Sequence, residues 1–184
     1  LGQGLQLPCE HGSIRFIPSA AFARSGDTDI ADLPVKAPQL QGAHTTVAIG
    51  QSLYLKGYRH LHPGMRSAIE LGHFLTKAGF PYVAPTLGTV EYQDEGGNQT
   101  TLCLLQAYVE NQGDFWSYTL DYLAHFLDEC RASDNPVASP AMAHHAYFVL
   151  VRTLAQRTAQ LHQALAAGDG DPAFMPEPVA AEDM

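Results

Sequence analysis

A change of hydrophobic period at Asn111-Gln112-Gly113 constrains this chain more than any other feature. Before it, apolar and polar residues alternate in short runs closed by Gly and Pro. After it, apolar residues recur at spacings of three and four. Period two belongs to half-buried strands and the longer period to amphipathic helices. The first part of the chain is therefore read as sheet and the second as helix. One helix interrupts the sheet part.

Residues Gly12 to Ser19 alternate as a strand and stop at Pro18. The segment from Ala23 to Pro38 carries Gly26, Pro34 and Pro38 and reads as a loop. Thr45–Ile49 and Leu53–Tyr58 form a hairpin about Gly50-Gln51-Ser52. A helix is expected from Met65 to Ala78, closed by Gly79 with Pro81 beyond. Leu71, Phe74, Leu75 and Ala78 give its buried stripe. Leu87–Gln93 and Thr100–Val109 form a second hairpin about the Glu95-Gly96-Gly97-Asn98 turn. Trp116, Leu120, Leu123, Leu127 and Cys130 then mark one helix with Asp114 as N-cap. Tyr147, Leu150, Val151, Leu154, Thr158, Leu161 and Leu165 mark another, from Met142 to Ala166, stopped by Gly168 and Gly170. The tail from Asp171 holds three prolines and no period, so it is expected to be extended or a linker. This order gives an α+β fold with a mainly antiparallel sheet and one packed helix, followed by two long helices.

The 184 residues suffice for one domain or two small lobes. At 46% hydrophobic and 16% charged residues, the composition is that of a globular chain. The net charge of −9, with no basic stripe, argues against a nucleic-acid partner. Cys9, Cys103 and Cys130 are widely spaced, without C-x-x-C, and read as reduced thiols of a cytoplasmic protein. No apolar run approaches the roughly 18 residues of a membrane span. Leu1 is not a natural start, so the chain reads as a piece of a longer protein.

Within "LYLKGYRHLHPGMRSAIELGHFL", Lys56 ends a strand-like run and Glu70 lies in the following helix, about 40° around from Phe74. Lysine and glutamate are seldom buried unless paired. A strand lysine held by a helix glutamate fixes an ammonium beside an anion site, as phosphoryl transfer requires. In the kinase template that lysine contacts the α- and β-phosphates and the glutamate orients it. The plain alternative is a surface lysine and an unrelated solvated glutamate. The hairpin before Lys56 holds only Gly42 and Gly50 and no G-x-G-x-x-G. The strand ending in "LQAYVENQGD" is placed like a hinge. There the Ala107 carbonyl and the Val109 N–H are candidates for bonding an adenine edge, with Gln106 guarding the back of the pocket.

The segments "EHGSIRFIPSAAF", "LYLKGYRHLHPG", "IELGHFLTKAGFPYVAPTLGTVEY" and "NQGDFWSYTLDYL" resemble the maltokinase part of bacterial trehalose synthase–maltokinase fusion proteins. "RTAQLHQAL" and "DPAFMPEP" resemble the stretch just before that family's catalytic loop. The resemblance covers nearly the whole chain. It implies a kinase-like fold related to aminoglycoside phosphotransferases, ATP and magnesium as cofactors, and maltose 1-phosphate as product. It also implies an upstream trehalose synthase domain in the same polypeptide, interconverting maltose and trehalose. Lys56 matches the family's phosphate lysine and Glu70 its helix partner. One departure is clear: where the family has an "EQSNTS"-like phosphate-covering loop, this chain reads "QGAHTTV", and His44 replaces the amide.

On this reading residues 1–44 are an N-terminal cap-like segment and 45–112 a nucleotide-binding lobe. Residues 113–167 are helices leading to an absent C-terminal lobe, and 168–184 are a Pro-rich linker. A kinase of this type needs a base at the sugar hydroxyl and a carboxylate for magnesium. No histidine here is followed two residues later by aspartate. Asp114, Asp121 and Asp128 read as a cap and a solvated face. No catalytic residue or metal ligand is therefore assigned, and the chain is expected to be inactive alone. His60/His62 and His144/His145 lack a third metal ligand and read as surface or interface histidines. Two copies of the chain are expected to pair through Trp116 or the last helix. The alternative from another class is a non-catalytic interaction module attached to a trehalose synthase domain, with Lys56–Glu70 a structural ion pair.

Overall fold

The computed structural model describes residues 4–24, 33–36, 39–41, 44–61, 65–132, 144–168 and 172–175. The chain divides between Val109 and Glu110 into two compact units.

The first unit is built on one seven-stranded sheet. In chain order its strands are β1 (Gln6–Cys9), β2 (Gly12–Pro18), β3 (Gln39–Gln41), β4 (His44–Ile49), β5 (Leu53–Tyr58), β6 (Thr86–Asp94) and β7 (Gln99–Ala107). The spatial order is β1-β2-β6-β7-β5-β4-β3, and every described pairing is antiparallel. The fold is α+β. Segment 1–44 contributes three strands to the same sheet as 45–107. Two helices belong to this unit, α1 (Ala20–Arg24) and α2 (Met65–Lys77).

One face of the sheet carries the main core, in which Leu53, Leu87 and Leu105 are buried and Phe22, Leu33, Ile49 and Leu55 pack around them. Burying each such leucine contributes about 1.5–3 kcal/mol. Ser19 ties α1 to this face. Its hydroxyl donates to the Thr86 carbonyl at 2.7 Å and accepts the Ala21 N–H at 3.2 Å.

α2 packs on β6 and β7. Gly79, at φ 70°, closes it as expected, with Phe80 N–H on the Leu75 carbonyl and Gly79 N–H on the Thr76 carbonyl. The stripe differs from the expected one. Ile69, Phe74 and Leu75 are buried, whereas Ala78 is exposed. The reason lies in a seam of small residues. The Thr76 hydroxyl donates to the Gly72 carbonyl at 2.6 Å and accepts the Thr86 N–H at 2.9 Å. Gly72 lies directly against Thr86. The helix thus turns its Ile69–Gly72–Thr76 line to the sheet.

The second unit holds α3 (Phe115–Ala132), α4 (His145–Ala166) and a 3-10 turn at Pro172–Phe174. Asp114 caps α3, accepting the Ser117 N–H and hydroxyl at 2.8 Å each. These bonds, the backbone one first, hold its carboxyl below the usual range. The two helices meet through aromatic rings. Tyr122 and Tyr147 stack at 4.0 Å, with Phe115 on Tyr147 at 5.9 Å. Tyr122 shares a 2.6 Å hydrogen bond with His144 Nδ1. The line Phe115, Thr119, Tyr122, Phe126, Cys130 therefore faces α4. The expected stripe of Trp116, Leu120, Leu123 and Leu127 is left exposed, Trp116 at 70%. Leu150, Val151 and Leu154 of α4 are exposed too. Met142, the expected start of α4, and most of the Pro-rich tail lie outside the described residues.

Candidate functional site

Side-chain alternation assigns the sheet's two faces. Leu53 and Leu55 point to the core face, so Tyr54, Lys56 and Tyr58 occupy the other. Lys56 pairs with Thr46 on β4 and with Leu104 on β7, and Tyr54 pairs with Gln106. Thr46 and Leu104 are buried, at 2% and 6% exposure, so the lysine rises from a closed floor. Lys56 itself is half-buried. Thr86 and Thr89 on β6 extend the same face through their pairs with Gln106 and Leu104. α2 lies on this side, since its Gly72 and Thr76 meet Thr86.

Lys56 and Gln106 are therefore diagonal neighbours on adjacent strands, and such residues stand about 7–8 Å apart at Cα. Glu70 is not brought to Lys56 in this structure. It lies on the exposed arc of α2 with Lys77, and no ion pair joins Glu70 to Lys56. The seam at Gly72 and Thr76 sets this rotation. Ala107 ends β7 with its N–H on the Pro85 carbonyl at 2.9 Å, and Tyr108 N–H reaches the Ser52 carbonyl at 2.8 Å. Val109 follows, exposed at 55%. The backbone thus leaves the ladder immediately after Gln106 and Ala107.

Burial sets the electrostatics around this sheet. His73 of α2 is held below the ordinary imidazole value by desolvation, with Glu91 acting the other way. Burial raises the Tyr58 phenol, with Cys103 adding to it, and burial raises the Cys103 thiol. All three cysteines are free thiols. Two buried polar atoms have no hydrogen-bond partner among the described residues, His44 Nδ1 and Thr86 Oγ1. Among the described residues no cluster of three or more His, Cys, Asp or Glu could hold a metal ion. No described helix is long and apolar enough to cross a membrane.

A described cavity lies on the other face of the sheet. About 170 Å³ in volume, it is lined by apolar groups of Phe16, Phe22, Leu55, Leu87 and Leu105 on the core face. It has no cation and belongs to the packing of α1. Reading the sequence by hydrophobic period missed Thr86, Gly72 and Thr76, which are small or polar. Tyr54 was legible as the alternation partner of Lys56.

No family model matches the sequence. Among solved structures the chain is similar to a glucosamine kinase in crystal form B, with 17% identity and a TM-score of 0.48, covering 97% of this chain and 49% of that one. It is also similar to a glucosamine kinase in complex with glucosamine, ADP and inorganic phosphate. There the identity is 17% and the TM-score 0.49, covering 89% of this chain and 44% of that one. The chain spans about half the length of these glucosamine kinase chains.

Proposed function

We propose that the first unit is the nucleotide-binding lobe of an ATP-dependent sugar kinase. The observation that carries this reading is the setting of Lys56. It stands on the third strand of the β3–β4–β5 run, faces the side on which α2 packs, and has Gln106 as its neighbour at the end of β7. Phosphoryl transfer is achieved largely by positioning and charge neutralisation, and the kinase template places its lysine on such a strand and its glutamate on the helix that follows. Lys56 would hold the α- and β-phosphates, and Glu70 would orient it once α2 turns inward. The Ala107 carbonyl and Val109 N–H would take the adenine edge, with Gln106 behind it. Magnesium would supply charge neutralisation at the phosphates; no ligand for it is assigned in this chain.

The finer identity follows the sequence resemblance: a maltokinase forming maltose 1-phosphate, fused to trehalose synthase and cytoplasmic, where ATP is supplied. The absence of any His-x-Asp pair supports a lobe that binds nucleotide without turning over sugar. The exposed Trp116–Leu127 stripe favours a second reading, an interaction module with no nucleotide. Chemical labelling of Lys56 decides between them. Protection by ATP fits the kinase lobe, and unchanged labelling fits the module.

A further inference from the structure

The Lys56 face carries a second nitrogen group. His44 opens β4 and pairs with Tyr58, two positions along from the Thr46–Lys56 pair. Alternation puts His44 on the same face as Lys56, as its diagonal neighbour. The imidazole stands edge-on to Tyr58, with centroids 5.1 Å apart and planes at 83°. That contact holds the ring in place. Its Nδ1 is buried and has no hydrogen-bond partner among the described residues. Lys56 likewise makes no hydrogen bond or ion pair among them. Buried polar groups in folded chains nearly always find a partner. Two neighbouring nitrogen groups that find none among the described residues suit an anion with several oxygens.

We propose that His44 and Lys56 together grip the polyphosphate of the bound nucleotide, with His44 donating to a phosphoryl oxygen. The proposal rests on the nucleotide-binding reading above and assigns a role to the histidine that replaces an amide in the covering loop. A neutral imidazole offers one N–H and a protonated one offers two. A phosphoryl oxygen carries negative charge, so the bond from the imidazole N–H is charge-assisted. Thr46, buried beside both, keeps bulk water from the base of the clamp.

Calorimetric titration of ADP and adenosine into the chain and into His44→Ala, His44→Asn and Lys56→Ala tests this. His44→Ala is expected to weaken ADP about tenfold, the loss of one charge-assisted hydrogen bond, and to leave adenosine unchanged. His44→Asn should fall between, since an amide N–H restores a donor on a shorter side chain. If His44→Ala does not fold, His44→Asn alone decides, by weakening ADP and sparing adenosine. Lys56→Ala weakening ADP while both His44 variants bind like the parent would overturn the His44 assignment and leave the nucleotide reading standing. Failure of the unaltered chain to bind ADP would remove both.

Discussion

Gly72 and Thr86 meet where α2 crosses β6, so closely that a Cβ on Gly72 would lie 2.7 Å from Thr86 Oγ1. The seat of α2, and with it the direction of Glu70, depends on this contact. Gly72→Ala forces the helix off the sheet and should cost about 1–3 kcal/mol. Thr76→Val strips the acceptor from the buried Thr86 N–H and should cost a similar amount, about 1–3 kcal/mol. Thr86→Val removes only a hydroxyl without a partner among the described residues, so it should be neutral or stabilising. Urea unfolding of the three variants checks the ordering.

His73 gives α2 a pH dependence. Burial lowers its folded-state value, so between the ordinary value near 6.5 and the lower folded one the unfolded chain binds more protons. Stability from this group is complete above about pH 6.5 and falls as the pH drops through that window. His73→Phe should flatten the pH profile of the melting temperature there. An unchanged profile would assign the slope to other groups.

The exposed stripe on α3 should drive self-association. Trp116, Leu120, Leu123 and Leu127 repeat along one side of the helix and are 70%, 48%, 43% and 53% exposed. Contiguous apolar surface of this kind is normally covered, and two-fold pairing covers it most simply. Sedimentation at high micromolar concentration should show a dimer that Leu120→Glu with Leu127→Glu disperses. A strict monomer before substitution would exclude it.

Purified chain incubated with ATP, magnesium and maltose should yield no maltose 1-phosphate above background. The sequence offers no His-x-Asp pair, and Asp114 and Asp94 are engaged in a helix cap and a turn. Ordinary turnover of labelled ATP onto maltose would show that a catalytic base lies within these residues.

Most of the sheet was legible because its central strands alternate strongly. The spans read for β5 and α2 differ from the observed ones by at most one residue. β1 was not legible, since Gln6–Cys9 is exposed throughout and has no buried side to alternate with. β3 is only three residues long. On α3 two apolar lines run with the same spacing, one starting at Phe115 and one at Trp116. Periodicity cannot choose between them; stacking on Tyr147 does. The strand position of Lys56 was readable for the same reason as the sheet. The rotation of Glu70 was not, because Gly72, Thr76 and Thr86 set it through close approach and hydroxyl bonds, which carry no hydrophobic signal.

The central claim is that Lys56 is a nucleotide-phosphate ligand. Its most direct measurement is the ADP dissociation constant of the chain beside that of Lys56→Ala, each with adenosine as control. The account gives saturable ADP binding that weakens at least tenfold in Lys56→Ala, from the loss of a charged partner to phosphate, while adenosine binding stays the same. Equal ADP affinity in the two proteins, or no ADP binding by either, would contradict it.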